Sequence, residues 1–140
     1  MVVADGKGIP LGAHLDSASP AEVKLVDKTL ATVSVPRRGR GRPRKRLERL
    51  LADMAYDSDP LRKNLARQGT ELVSPHRKNR VKPATQDGRA LRRYKRRWKV
   101  ERLIGWLGNY RRLLVRHERL LLTYQAFFHL ACVLIVLRHL

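Results

Sequence analysis

The sequence predicts a single α/β domain, and three observations support this. Short apolar runs typical of strands alternate with longer runs in which apolar residues recur at helical spacing. The chain has 140 residues, the size of one ordinary domain, and 43% of them are hydrophobic, which is enough for a buried core. The sequence also contains no internal repeat. We therefore treat residues 1–140 as one domain.

The chain begins with a predicted β-hairpin over residues 2–15. Two valines lead into the turn Asp-Gly-Lys-Gly at 5–8, and an apolar segment returns from it. The segment Ser-Pro-Ala-Glu at 19–22 predicts the start of a helix, because its serine can cap free N–H groups and Glu22 completes a capping box. This helix should end before Pro36, and its apolar positions are Val23, Val26, Leu30 and Val33.

The middle of the chain (47–75) predicts a strand, a helix and a second strand between two basic loops. The first strand runs from about Arg49 to Ala52 and ends at Asp53. Ser-Asp-Pro at 58–60 begins the helix, Gly69 closes it, and the second strand stops at Pro75. The first basic loop, at 36–46, has no apolar residue except proline, so we expect it to be exposed and mobile, and the second basic loop lies at 76–89.

Two helices are predicted in the C-terminal part (76–140), after the second basic loop. A long helix should run from about Ala90 to Val115, with the apolar stripe Val100, Leu103, Ile104, Leu107 and Leu114. The last 21 residues form a final apolar helix, which is long enough to cross a bilayer but is interrupted by Gln125, His129 and Arg138. We expect a helix of the core or of a dimer interface. The alternative is a membrane anchor.

The charge of the chain is its most unusual bulk property. Lys and Arg number 31 against 12 Asp and Glu, which gives a net charge of +19. Such self-repulsion indicates a polyanionic partner, either nucleic acid or an anionic membrane surface. The one cysteine, Cys132, lies in an apolar run, which excludes an internal disulfide and indicates an inert thiol. The N-terminus lacks the pattern of a signal peptide, and we expect a cytoplasmic protein.

Two carboxylates are candidates for a metal site. Asp53 follows a buried strand, where α/β sheets build their sites. Tyr94, Arg97 and Glu101 share one face of the long helix, because they are spaced by three and four residues. Together the carboxylates of Asp53 and Glu101 suit Mg²⁺ or Mn²⁺, and two such ions can cleave a phosphodiester. The alternative is that Glu101 forms only a surface ion pair with Arg97.

Three further aspartates fit structural roles better. Asp5 follows an apolar strand, but its Asp-Gly-Lys-Gly context is that of a hairpin turn. Asp57 and Asp59 precede a predicted helix, so we interpret them as turn and cap residues.

These residues lie in segments that resemble a known family. The segments "LLADMAYDSDPLR", "SPHRKNR", "TQDGRALRRYKRRWKVERLIGWLGNYRRL" and "RHE" are similar to the C-terminal part of bacterial insertion-sequence DDE transposases, in the group typified by insertion sequence 5. The opening "VVADGKGIPLG" is similar to the hairpin before the family's insertion loop. The resemblance implies a ribonuclease-H-like fold and a protein that cuts and joins DNA with two metal ions. It also implies that Asp53 and Glu101 are catalytic metal ligands and that Tyr94 and Arg97 bind DNA.

The sequence departs from this family in two places. The family's signature ends with a basic residue seven positions after the glutamate, but that position is Gly108 here, and the nearest bases beyond it are Arg111 and Arg112. The first catalytic aspartate belongs on a strand upstream of the hairpin, so the third acidic ligand is absent and the fold is expected to be incomplete. We therefore expect a truncated or frameshifted transposase, inactive alone. The alternative is a non-catalytic DNA-binding regulator, or a partner subunit of a full-length transposase.

The loop at 36–46 has a second resemblance of its own. Arg40-Gly41-Arg42-Pro43 is similar to the Arg-Gly-Arg-Pro core of the AT-hook, which binds the minor groove, although the preceding proline of that motif is Gly39 here. The alternative is a loop that binds phosphates without sequence preference. The expected partners are double-stranded DNA and other transposase subunits, in a nucleoid-associated homo-oligomer or mixed assembly. The residues expected to contact DNA are Tyr94, Arg97, Arg40, Arg42, Arg44, Lys45, Arg46, Arg77, Lys78, Arg80, Arg111 and Arg112.

Overall fold

The computed structural model describes residues 1–16, 20–37 and 39–139, and these form a mixed α/β fold. The strands are β1 (Val2–Ala4), β2 (Pro10–Ala13), β3 (Arg49–Leu51) and β4 (Glu71–Val73). The α-helices are α1 (Val26–Ala31), α2 (Asp59–Arg67), α3 (Gly88–Tyr94), α4 (Trp98–Gly108), α5 (Arg111–Leu114) and α6 (Leu121–Leu137). Short 3₁₀ segments lie at Glu22–Leu25, Met54–Tyr56 and Lys95–Arg97. In these described ranges the strands form two separate pairs, β1–β2 and β3–β4.

The N-terminal hairpin is confirmed. Strands β1 and β2 pair antiparallel. The carboxylate of Asp5 accepts hydrogen bonds from the backbone N–H groups of Lys7 at 2.7 Å and Ile9 at 2.9 Å, which closes the turn. Gly8 has a φ of 86°, a conformation that L side chains rarely adopt. Asp5 is therefore the turn residue that the sequence indicates.

The segment β3–α2–β4 has the strand, helix and strand that the sequence predicts between residues 47 and 75. The hydroxyl of Ser58 accepts a hydrogen bond from the N–H of Leu61 and caps α2, and Gly69 lies just beyond the end of the helix with a φ of 78°. Strands β3 and β4 pair parallel, as expected when a helix connects them. The core of this unit is formed by Val26, Leu50, Leu61, Leu65 and Leu72.

The predicted start of the first helix is wrong. The helical segment begins at Glu22 as a 3₁₀ turn and its preceding residue, Ala21, makes no side-chain cap. The carboxylate of Glu22 accepts a hydrogen bond of 2.8 Å from the hydroxyl of Tyr56, 34 residues away. Ser19, the predicted cap, lies outside the described residues.

The predicted continuous helix from 90 to 115 is also wrong. It is divided into α3, a 3₁₀ turn, α4 and α5, and the chain leaves the helical conformation at Tyr110, whose ψ is 103°. Gly105 and Gly108 lie just before this break, and each glycine costs a helix about 1 kcal/mol relative to alanine. Of the predicted apolar stripe, Leu103 and Leu107 are buried. Ile104 and Leu114 are exposed.

Helix α6 packs one face against α4 and leaves the other exposed. A second core is formed by Leu103, Leu107, Phe128, Ala131 and Ile135. The thiol of Cys132 is half-buried, and burial raises its pKa to about 11, so the thiol remains protonated. Within the described ranges, no helix has both the length and the apolar character needed to cross a membrane. The final helix therefore contributes to the core, as one of the two sequence interpretations expects.

Candidate active site

Asp53 lies two residues after the end of β3, at the carboxyl end of the parallel pair. Its backbone is extended, and its side chain caps the following 3₁₀ turn by accepting the N–H of Met54. Its carbonyl oxygen accepts a hydrogen bond of 2.7 Å from the hydroxyl of Ser74, which follows β4. The ends of both strands therefore hold the backbone of Asp53, while 53% of its side chain stays exposed.

The structure brings Tyr94 to Asp53 across 41 residues of sequence. The hydroxyl of Tyr94 donates a hydrogen bond to Oδ1 of Asp53 at 3.3 Å. Burial of the ring, together with the negative charge of Asp53, raises the pKa of Tyr94. The phenol therefore stays protonated at neutral pH and remains a hydrogen-bond donor.

Arg97 connects the two candidate carboxylates. Its Nη2 lies 2.7 Å from Oε1 of Glu101, one helical turn away, and its Nη1 lies 3.8 Å from Oδ2 of Asp53. Its guanidinium also lies 5.5 Å from the centre of the Tyr94 ring. The four residues that the sequence singles out thus form one connected group. Glu101 is in the ion pair that the alternative interpretation expects, and it is also within this group.

The hairpin holds the helix that carries Glu101. Lys99 donates to the carbonyl of Gly6, and Arg102 donates to the carbonyl of Lys7. The guanidinium of Arg102 lies between two indole rings, 4.9 Å from Trp98 and 4.8 Å from Trp106. Both neighbours of Glu101 in this turn of α4 are therefore anchored, which fixes the position of the helix relative to the hairpin.

The carboxylate oxygens of the site suit a hard divalent cation, but they are too few to complete its coordination. Asp53 and Glu101 provide carboxylate oxygens that are half-exposed, and Mg²⁺ commonly takes one or two carboxylates and completes its shell with water or phosphate. Within residues 1–16, 20–37 and 39–139, no group of three acidic, histidine or cysteine side chains is arranged so that it could hold a metal ion. Asp5 takes no part, because its carboxylate bonds its own turn. The site thus offers two protein ligands.

Asp57 is the site residue whose importance the sequence analysis missed. Its side chain is only 2% exposed, and it accepts hydrogen bonds from Arg62 at 3.0 Å, from His76 at 2.9 Å and from the N–H of Arg77 at 2.9 Å. Burial opposes ionisation, but these hydrogen bonds outweigh it and lower the pKa of Asp57 to about 2. Nε2 of His76 accepts the N–H of Thr85, so Nδ1 carries the proton toward Asp57.

This network fixes the second basic loop beside the site. Arg62 also donates to the carbonyls of Leu72 and Ser74, at 3.0 and 2.8 Å, and thereby joins α2 to the end of β4. The sequence did contain a signal for this network. Three aspartates lie between residues 53 and 59 in a chain that has few acidic residues. The interpretation of Asp57 as a turn residue describes its backbone and misses its side chain.

The residues predicted to contact DNA differ in whether their side chains already bind other groups of the protein. The side chain of Arg80 is 13% exposed and forms an ion pair with Asp59 at 2.9 Å, so its charge is already neutralised within the chain. Arg77 donates to the carbonyl of Ala55, and Arg112 binds Glu118 at 3.0 Å. The exposed residues of the predicted set are Arg40, Arg42, Arg44, Lys45, Arg46, Arg77, Lys78, Arg111 and Arg112.

Comparisons with known proteins show the family to which the chain belongs. The family model of the transposase DDE domain matches residues 1–136. The chain is 36% identical over 134 residues to the transposase named for insertion sequence element IS402 of Burkholderia cepacia, covering 96% of this chain and 60% of that relative. It is 38% identical over 93 residues to the transposase named for element IS6501 of Brucella ovis, covering 64% of this chain and 67% of that relative. The chain therefore spans about 60% of the length of the IS402 relative. No solved structure matches it.

Proposed function

Because the chain belongs to the transposase DDE domain family, we propose that it acts in DNA transposition, as the part of a ribonuclease-H-like transposase that binds transposon ends and metal. The observation that carries this proposal is the connected group of Asp53, Tyr94, Arg97 and Glu101. A strand end and a helix 48 residues further along the chain bring two carboxylates to one guanidinium. A surface ion pair alone would need only Arg97 and Glu101.

In this proposal Asp53 and Glu101 hold Mg²⁺ or Mn²⁺, which supplies the Lewis acidity that phosphodiester cleavage requires. The oxygen of a water molecule forms a bond to phosphorus, the bond from phosphorus to the 3′ oxygen breaks, and that oxygen leaves as a hydroxyl after gaining a proton. In strand transfer the 3′ hydroxyl takes the place of the water. Tyr94 and Arg97 carry donors at the edge of the carboxylates, where they can bind the phosphate being cut.

The remaining DNA contacts in the proposal are electrostatic. The chain has a net charge of +19, and its exposed bases lie in the two basic loops and near α5. Phosphate contacts from such residues position a duplex without selecting its sequence. Arg80 is less suited to this role because Asp59 already binds it.

The test of the metal ligands is the binding of Mn²⁺ to the chain, which we expect Asp53→Asn and Glu101→Gln to weaken. The matched control is Asp27→Asn, because Asp27 is an exposed carboxylate that bonds Asn64 and lies outside the site. Mn²⁺ binding that is unchanged in both site variants would contradict the assignment of the metal ligands. Because the chain is expected to be inactive alone, it should not nick supercoiled plasmid DNA with Mn²⁺, and nicking that is lost in Asp53→Asn would contradict that expectation.

A second candidate function is that of a non-catalytic DNA-binding regulator or partner subunit. It is favoured by the finding that only two carboxylates meet in the described residues, since a two-metal site normally needs more ligands. In that case the chain binds DNA, does not nick it with Mn²⁺, and lowers the activity of an IS402-type transposase when the two are mixed. Stimulation of that transposase would instead indicate a partner subunit.

A further inference from the structure

The loop between Val35 and Arg44 is closed at its base. The backbone N–H of Val35 donates to the carbonyl of Arg44 at 2.9 Å, and the N–H of Arg44 donates to the carbonyl of Val35 at 2.8 Å. Val33 is buried just before this bridge, and Leu47 packs against the first core just after it. The base of the loop is therefore attached to the body of the protein, and residues 39–43 beyond it are exposed.

The two arginines at the tip, Arg40 and Arg42, make no contact of their own with the described residues. Arg40 and Arg42 are exposed and form neither an ion pair nor a hydrogen bond within the part of the chain that the structure describes. By contrast, Arg44 at the base pairs with Glu48. Two unpaired guanidinium groups at the end of an anchored loop are therefore available for an anionic ligand.

The backbone at the tip is thin. Gly39 and Gly41 flank Arg40, and Pro43 follows Arg42, so no bulky apolar side chain lies at this end of the loop. Gly41 has a φ of 143°, which an L side chain would adopt only with strain. A segment of this shape fits the minor groove of DNA, which is about 6 Å wide.

We propose that this loop inserts Arg40 and Arg42 into the minor groove of A·T-rich DNA. The inference rests on the proposed DNA-binding function and adds a base preference to it. A·T tracts have a narrow minor groove with enhanced negative potential, which attracts arginine. The guanidinium is also less strongly hydrated than an ammonium group, so arginine enters a narrow groove at a lower desolvation cost than lysine does.

The charge alone does not require this preference. A loop that binds only phosphates would hold A·T-rich and G·C-rich duplexes equally, and would bind as well with lysine as with arginine. Groove insertion depends on the shape and hydration of the side chain, so exchanging arginine for lysine separates the two modes while it keeps the net charge.

The experiment measures the fluorescence anisotropy of labelled A·T-rich and G·C-rich duplexes of equal length at one fixed salt concentration. We expect the wild-type chain to prefer the A·T duplex by roughly tenfold, about the cost of one mismatched contact. The double variant Arg40→Lys/Arg42→Lys should lose most of this preference while its affinity for the G·C duplex is unchanged. The matched control, Arg67→Lys, changes an exposed base at the end of α2, outside the residues expected to contact DNA, and should keep the preference.

The outcomes separate the inference from the function on which it rests. Equal wild-type affinity for both duplexes, or an A·T preference that survives the double lysine variant, overturns groove insertion and leaves DNA binding in place. No binding to either duplex overturns the DNA-binding function itself. Release of the A·T duplex by a minor-groove-binding polyamide, with no effect on the G·C duplex, supports the inference.

Discussion

Replacing Arg97 by glutamine should strengthen the binding of Mn²⁺ to the candidate site. The guanidinium of Arg97 lies 2.7 Å from Glu101 and 3.8 Å from Asp53, so without a metal it supplies the positive charge that both carboxylates face. A divalent cation must replace or compete with these contacts. Arg97→Gln removes the competitor and keeps a polar side chain of similar length.

The magnitude follows from the exposure of the pair. Both carboxylates are 53% exposed, and an ion pair of this kind is worth about 0.2–1 kcal/mol after screening by water. Removing the competing interaction should therefore lower the dissociation constant for Mn²⁺ by up to about fivefold. Like-charge repulsion between the guanidinium and the metal acts in the same direction, and it also disappears in the variant.

The assay is a titration of Mn²⁺ followed by the electron paramagnetic resonance signal of the free ion, at constant ionic strength. The matched control is Arg96→Gln, which removes the same charge from the neighbouring, exposed position. Equal tightening in both variants would refute the argument, because the metal would then respond only to net charge. Weaker binding in Arg97→Gln, or binding unaffected by Asp53→Asn, would also refute it.

Three further predictions concern stability and DNA binding. The low folded pKa of Asp57, about 2 against an ordinary value of 3.8, stabilises the fold above pH 4; about 2 kcal/mol of the unfolding free energy should be lost between pH 5 and pH 2. Chemical denaturation should show this loss in the wild type and not in Asp57→Asn, and parallel pH profiles would contradict it. Gly8→Ala should cost about 1–2 kcal/mol from its positive φ alone, and more because the new Cβ would lie 3.0 Å from the carbonyl oxygen of Lys99. Gly69→Ala has a similar φ and open space, so an equal loss of thermal stability in the two variants would exclude a contribution from the contact with α4. Finally, the logarithm of DNA affinity should fall linearly with the logarithm of salt concentration, with a slope of about −0.9 per phosphate contact; a flat dependence would be inconsistent with electrostatic binding.

The parts of the fold that follow local rules were predictable from the sequence. The turn at Asp5, the helix start at Ser58 and the terminating Gly69 each act over a few residues, and each lies where the sequence indicates. The interpretation of Asp59 as a cap is wrong, because the cap is Ser58 and Asp59 is the first residue of α2. The start of the first helix is less predictable, because the carboxylate of Glu22 bonds the distant hydroxyl of Tyr56. A capping pattern cannot reveal such a distant partner.

The break between α4 and α5 was missed for a different reason. The apolar stripe continues through it, and Leu114 lies in helical register with Leu107. The local preference of Gly108 and the extended backbone of Tyr110 prevail over this periodicity, because Leu114 remains exposed and gains little from continuing the helix. Apolar periodicity indicates which residues share one face of a helix, but not whether that face packs against another element.

The sequence predicted which residues would lie together in the candidate site, but not which contacts they would make. Helical spacing places Tyr94, Arg97 and Glu101 together, and the strand end offers Asp53. The bridging position of Arg97 depends on how α4 packs on the hairpin, which no spacing rule contains. The roles of these residues in catalysis and metal binding stay predictions.

The carbonyl oxygens that bind Lys99 and Arg102 have a wider consequence for a chain in which cations outnumber carboxylates 31 to 12. A backbone dipole can fix a cation without neutralising it, and the side chain of Arg77 is held by a carbonyl as well. The fold thus immobilises part of its surplus charge without drawing on its few acids. Within the described residues, Glu101 forms its ion pair with Arg97, while the charges of Lys99 and Arg102 stay unneutralised beside it.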